Sequence, residues 1–432
     1  MSRIPFHRRA LLWVFIVAFV AIAPTVVFYT AGYRWNPKKG AIERNGTLII
    51  DTVPAGASIT LNGERLVDRS PVTLQNVAPG TYTIRLERDG FHPWEKTLDV
   101  RPELVTFVNN VFLWPDEAPA LVTNHRAFAI SVSPNERMLA YLSENGTGTR
   151  LTFYDVRDAI GQTVFFNADA PTGSTRITWN RASSAVLMED GEAAWVVLRG
   201  GSRTPVRMPP GLYRWDDGRL IGTNGSSRLE YVIATEEIRR TALPPLVVDE
   251  DDAYRLVQTT TTGRLFVTER SNGAKRYELP DGTWKFADRV DGWVFLKSQD
   301  ALLGFDPDAA RPFSVRLPAS GVPQTQTRSG KTTMLSWNGG EGWFYRLEDD
   351  QSELFVRKSS ALRGLAWHRL GYDVFYATSQ EIIAMNLDPR DGRRETILAA
   401  FDEVFGMAVT KKAIYVAGSR NGERGVWSVR TE

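Results

Sequence analysis

Two hydrophobic patterns divide the chain. From Ala10 to Tyr29 twenty residues pass without a charge, and Leu11, Leu12, Trp13, Val14, Phe15, Ile16 and Val17 make the run apolar all round. At ~1.5 Å per residue such a helix reaches ~30 Å, the thickness of a bilayer's hydrocarbon core. From Gly46 onward the pattern changes to short alternations of apolar and polar residues broken by Gly, Pro and Asn, the period of half-buried strands. The expectation is an all-β chain behind a transmembrane helix over residues 10–31, with residues 1–9 as a short tail.

A cleaved secretory signal would share the basic start at Arg3, Arg8 and Arg9, but the best small-residue pair, Ala21 and Ala23, is followed by Pro24, a poor residue just after a cleavage point. The basic residues Arg34, Lys38 and Lys39 beyond the run match the three before it, so their count sets no orientation. The short tail and the large C-terminal part favour a cytoplasmic N-terminus with the rest outside, since large domains translocate largely regardless of charge.

The alternation is clearest at Thr81 to Glu87, where Tyr82, Ile84 and Leu86 point one way and Thr81, Thr83, Arg85 and Glu87 the other. Asn62-Gly63 reads as a two-residue hairpin turn and Pro79-Gly80 as the turn before Thr81. Pro54-Ala55-Gly56-Ala57, then Asn62-Gly63, Ser70-Pro71, Pro79-Gly80-Thr81-Tyr82, and Asp89-Gly90-Phe91 leading to Trp94, follow one another in the order and spacing of the PEGA domain, which the stretch 46–114 resembles. Val67-Asp68-Arg69 departs from it, since the family has a Gly shortly before its Ser/Thr-Pro pair. The resemblance implies a small β-sandwich over 41–114, an envelope context and a binding or spacer role, with no catalytic residues to carry over. Pro54, Gly56, Ala57, Asn62, Gly63, Pro71, Pro79, Gly80, Tyr82, Gly90, Phe91 and Trp94 then stand as structural residues. Gly56, Gly63, Gly80 and Gly90 would supply turns, and Phe91 and Trp94 core packing.

Beyond a Pro-rich link at 115–119, a degenerate unit recurs about every 40 residues over 118–432. Its first copy is Phe128 to Ser133, the turn Pro134-Asn135-Glu136, Met138 to Leu142 and Leu151 to Val156. Turn-and-strand units at Trp179–Met188, Trp215–Ile221, Thr262–Val267, Asp291–Leu296, Trp337–Tyr345, Trp367–Tyr376 and Val409–Val416 bring the number to eight, and a third apolar strand follows most of them, as at Glu353–Val356. Ser133-Pro134-Asn135 through Tyr141 resembles a blade of TolB-like and WD40-like propellers. This implies seven or eight blades closed by a strand near Ala120–Thr123. Nine tryptophans here, among them Trp179, Trp215, Trp284 and Trp367, suit wedges between blades.

Charge narrows the function. The 432 residues carry a net +2, but residues 1–40 alone carry +6, leaving −4 on the rest, so the folded part lacks the basic face that nucleic acid requires. Zero cysteines exclude disulfides and thiolate chemistry. The four histidines, His7, His92, His125 and His368, are dispersed, and no zinc helix, nucleophile elbow or phosphate loop is present. Asp249-Glu250-Asp251-Asp252 is the densest acidic run; without the alternation of a calcium loop it reads as a solvated connection between blades. Asp388-Pro389-Arg390-Asp391-Gly392 reads as a turn.

These readings converge on a non-enzymic, membrane-anchored envelope protein without cofactor or metal, whose propeller binds a protein or a cell-wall polymer. The alternative is an extracytoplasmic hydrolase or lyase with its site in the propeller channel, which a cluster of Asp, Glu, His or Arg with perturbed titration would mark.

Overall fold

The structure is a computed structural model that describes residues 6–30, 33–36, 41–146, 148–166, 171–172, 175–191, 193–200, 204–216, 218–224, 226–271, 275–290, 293–298, 301–306, 308, 317–318, 324–328, 331–347 and 351–432. Residues 1–5 of the expected tail, residue 31 of the expected span and residues 291–292 of the fifth repeat unit lie outside these. The chain forms two compact units: Met1–Asp116 with Asn386–Arg394, and Glu117–Met385 with Glu395–Glu432.

The first unit opens with helix α1 (Phe6–Thr30). Its stretch Leu11–Phe28 is long and apolar enough to span a bilayer, and none of it is buried against protein. Pro24 removes one ladder bond, and in the same turn Thr25 donates its hydroxyl to the Ala21 carbonyl at 2.9 Å. Strands β1 (Tyr33–Asn36) and β2 (Ala41–Arg44) form a hairpin that sets Tyr33 opposite Arg44.

Seven strands follow, β3 (Gly46–Val53), β4 (Ser58–Leu61), β5 (Glu64–Arg69), β6 (Val72–Val77), β7 (Gly80–Glu87), β8 (Trp94–Val100) and β9 (Val105–Phe112). They make two sheets, β6-β3-β9 and β5-β4-β7-β8. Alternation drives them together: Leu48 and Ile50 of β3 meet Ile59, Ile84, Leu86, Trp94 and Leu98 in one core. Burying this row stabilises by roughly 1.5–3 kcal/mol per large side chain. Because β9 runs parallel to β3, the turns fall at two opposite ends. The starts of β3 and β9 share one end with Asn62-Gly63 and Pro79-Gly80. The far end holds residues 54–57, Ser70-Pro71 and Asp89-Gly90. Along the open side, Lys96 of β8 donates to the Asp388 carbonyl at 2.6 Å, Asp391 accepts from the Thr97 amide at 2.6 Å, and Arg390 donates to the Phe107 carbonyl of β9 at 2.8 Å. The turn Asn386–Arg394 therefore satisfies polar groups on both edge strands, which would otherwise be open to pairing.

The second unit is a β-propeller. Eight four-stranded antiparallel sheets succeed one another at residues 127–166, 176–208, 212–242, 247–278, 285–318, 324–357, 364–400 and 403–430, the last completed by β10 (Ala120–Thr123). These are blades 1 to 8, and the first strand of each is its inner strand. The eighth closes where Leu121 pairs with Trp427. Among the described residues the blades number eight, within the expected seven or eight, with the closing strand where the pattern placed it.

Neighbouring blades bury a shared apolar seam. Phe128, Leu151 and Phe153 of blade 1 pack with Ile177, Trp179, Met188 and Trp195 of blade 2. The tryptophans at the ends of three inner strands add a polar tie. Trp179 donates to Ser131, Trp215 to Thr178 and Trp367 to Gln324, each reaching a carbonyl on the preceding blade's inner strand at 3.4, 3.1 and 3.2 Å.

Two repeat units were read one strand out of phase. Thr262–Val267 and Trp337–Tyr345 contain the turn between the second and third strands of blades 4 and 6, and Glu353–Val356 lies in a fourth strand, Gln351–Arg357. The cause is the composition of the inner strands. Blade 4 begins with Val247–Glu250 and blade 6 with Gln324–Arg328. The first carries acids and the second reads Gln-Thr-Gln-Thr-Arg, so neither shows an apolar alternation.

Candidate functional site

The PEGA-like residues gather mostly at the far end of the sandwich. Ser70 is the hub: its backbone accepts from Gly56 at 2.7 Å and donates to Ala57 at 3.0 Å, while its buried hydroxyl accepts from the Ala57 amide at 2.9 Å and meets Thr52 Oγ1 at 2.5 Å. Pro54 and Pro71 flank this network, and Arg69 and Arg88 donate to the carbonyls of Gly56 and Ala55. Gly56, Gly63 and Gly90 take φ of 90°, 85° and 80°, and Asn62 takes 49° in the hairpin turn. Gly80 differs from the expectation. It begins β7 without a positive φ, and an added Cβ would meet only Tyr82 at 3.9 Å. The Tyr82 hydroxyl crosses the Pro79-Gly80 turn to the Ala78 carbonyl at 2.9 Å. Trp94 is buried in the core, and Phe91 packs against it and bridges to Pro115.

In the propeller the chemistry concentrates where the acidic run lies, and there the structure corrects the sequence. Asp249 and Glu250 are not a solvated connection. They sit on the inner strand of blade 4, 2% and 7% exposed. Asp249 accepts from the Phe286 amide of blade 5 at 2.8 Å and from the Glu250 amide at 2.9 Å, and faces Arg214 of blade 3 at 3.9 Å. Glu250 takes Arg255 at 3.1 Å and Arg228 of blade 3 at 3.4 Å. Its carbonyl accepts from Arg214 at 2.7 Å. Lys285 of blade 5 donates to the Val248 carbonyl at 2.6 Å and to Thr223 of blade 3 at 3.0 Å. Burial pushes the Asp249 carboxyl above its usual range, opposed by Arg214, the Phe286 amide and Lys285. Burial likewise lowers the Lys285 ammonium, opposed by Asp249. Buried charge survives only when paired and hydrogen-bonded, and here each group is committed to a neighbour across a blade seam.

Arg214, Arg228, Arg255 and Lys285 could not be singled out in the sequence, being scattered over 70 positions. The one available signal was the pair Val247-Val248 directly before the acids, which marks a strand.

Beside this network the turn face of blade 4 opens into a cleft of about 480 Å³ lined by Asp252, Ala253, Tyr254, Glu269, Arg270 and Ser271. Arg289 of blade 5 reaches over the Tyr254 ring, 5.8 Å from its centre, and pairs with Asp251 at 3.4 Å. The cleft thus sets an aromatic ring and guanidinium groups, side chains enriched at protein interfaces, beside carboxylates.

The histidines are spread among separate surroundings. His92 lies 3.6 Å from Asp116 in the first unit, His125 bonds to the Tyr141 hydroxyl at 2.8 Å, and His368 is buried at the turn of blade 7, which lowers its pKa to about 4. Among the described residues no three His, Cys, Asp or Glu side chains are placed to hold a metal ion.

Residues 45–112 match the PEGA domain family. The chain is also similar in fold to the C-terminal WD40 domain of Sif2, at 12% identity and a TM-score of 0.46, covering 73% of this chain and 99% of that one. A chain of the mitotic checkpoint complex aligns at 10% identity and a TM-score of 0.41, covering 73% and 90%. No curated protein matches the chain. The chain therefore carries a PEGA domain at residues 45–112, and by its own sheet order the second unit is a β-propeller, with an apolar helix near the N-terminus.

Proposed function

We propose that this protein is a non-enzymic scaffold, held in a membrane by α1 with its N-terminus cytoplasmic, whose propeller binds a protein partner outside through the blade 4 cleft. The observation that carries the reading is how the propeller's charges are used. The titration-shifted Asp249 and Lys285 close blade seams, whereas a poised acid or base needs an open side facing substrate. The groups left at the surface, Tyr254, Arg270 and Glu269, are recognition groups. An apolar helix with no covered face supports the anchor.

The test uses the full chain in its native membrane with a photo-crosslinking residue at Ser271. Capture of one defined protein, lost in Tyr254→Ala, is the expected outcome. Capture of polysaccharide would favour the cell-wall polymer. Turnover of a peptide or glycan, abolished by a channel-facing substitution, would favour the hydrolase or lyase. Deleting residues 1–31 should release the protein from the membrane fraction.

A further inference from the structure

One end of the sandwich carries an apolar patch that its core does not use. Leu104, Val105 and Phe107 are 54%, 45% and 47% exposed, and Arg101 and Pro102 beside them are exposed as well. The loop bearing them is held in place. The Thr47 amide donates to the Leu104 carbonyl at 3.0 Å, the Glu103 amide to Asn45 at 3.1 Å and the Leu104 amide to Arg101 at 3.3 Å. Gly46 passes so close that a Cβ there would stand 2.5 Å from the Arg101 carbonyl. The apolar side chains are thus presented outward by a fixed backbone.

What lies next to them is the end of the apolar helix. The Phe28 ring, last in the span Leu11–Phe28, meets Tyr33 edge-on at 5.3 Å. The Arg44 guanidinium lies over the Tyr33 ring at 4.5 Å and pairs with Glu103 at 2.5 Å. Three contacts therefore connect the helix end to the residue before Leu104. The ion pair also neutralises Glu103, the acid that would oppose burial among lipids. In sequence, the stretch after the helix carries interfacial residue types, Tyr29, Tyr33 and Trp35 with Arg34, Lys38 and Lys39, and Arg101 adds a cation beside the loop.

Resting on the membrane-anchored reading of α1, we infer that the loop at 101–105 is a second membrane contact, with Leu104 and Val105 seated in the headgroup and acyl boundary of the bilayer that α1 spans. The occupant of the patch is lipid. The sandwich then stands on the membrane surface with its Ser70 end pointing away, and the contact restrains the hairpin β1–β2 from acting as a free tether.

The absence of cysteine makes the test direct. Single cysteines at Leu104, Val105, Pro102, Val17 and Ala55, each labelled with an environment-sensitive dye in the full chain, are reconstituted in vesicles of mixed neutral and anionic lipid that carry a nitroxide quencher on the acyl chain. The Val17 label reports the span and the Ala55 label the far end of the sandwich. Labels at 104 and 105 should lose roughly half their emission, as expected for groups ~5–10 Å into the boundary, with Ala55 unchanged. Quenching at Val17 but at none of 102, 104 and 105 overturns the inference and leaves the anchor standing. No quenching at Val17 overturns the anchor and this inference with it. Equal quenching at Ala55 also overturns it, since the module would then lie flat. Pro102→Cys serves as the loop's report if the apolar replacements disturb folding.

Discussion

The two units solve the problem of fixing a β-fold in opposite ways. In the sandwich, seven short strands are held by turns whose chemistry is particular. Ser70 ties its turn to Gly56 and Ala57, and three glycines occupy backbone angles that L-residues rarely adopt. In the propeller, eight similar sheets among the described residues are joined by turns of varied sequence, and a second set of particular residues sits between sheets, as Trp179, Trp215 and Trp367 and as the Asp249 network. A small module has too little core to tolerate loose turns. A ring of repeats can let its turns drift because each blade is defined by its neighbours.

That contrast can be broken first at Asp249. Asp249→Ala leaves Arg214 and Lys285 buried beside an empty site, and the expected loss is about 3–5 kcal/mol, read by hydrogen exchange as opening of blades 3 to 5 with the sandwich unaffected. Next comes acid. His368 is buried neutral with its pKa lowered from 6.5 to about 4, so the stability it contributes is complete above pH 6.5 and is lost as pH falls towards 4. The difference is worth about 3 kcal/mol, and His368→Gln should flatten that limb of the propeller's pH–stability curve. In the sandwich, Ser70→Ala strands the Ala57 amide, while the Thr52 hydroxyl keeps its bond to the Pro54 carbonyl; the expected loss is roughly 1–3 kcal/mol, and thermal melting of that unit should register it while exchange in the blades does not. The smallest effect is at a seam: Trp215→Phe keeps the ring's bulk and removes one bond to Thr178, about 0.5–1.5 kcal/mol, visible as faster exchange confined to blades 2 and 3. Equal response of both units to any one of these changes would erase the distinction.

The same contrast explains what could be read beforehand. Turn residues are local, so Asn62-Gly63 and the Ser70-Pro71 pair are legible in sequence, whereas the bonds of Ser70 to Gly56, Ala57 and Thr52 are not, and periodicity marks eight units while leaving seven or eight blades open. Gly80 shows the limit, since a family residue need not use the freedom glycine offers. The seam chemistry was hidden because its partners are assembled from different blades: Asp249 meets Phe286 37 residues away and Arg214 35 residues before. Burial of an acid is visible only once its arginines are in place, so Asp249 and Glu250 passed for solvated residues. Blades 4 and 6 slipped in phase for the same reason, their inner strands being polar where the pattern expects apolar residues.

The closing strand has a consequence in time. Ala120 accepts from Ser428, 308 residues later in the chain. At roughly 5–20 residues per second, β10 leaves the ribosome tens of seconds before its partner exists. Seven blades can assemble in order behind it, but the eighth must wait until residues 423–430 are made. Throughout that interval β10 offers an unsatisfied edge to any passing strand. The ring therefore closes by joining its oldest strand to its newest.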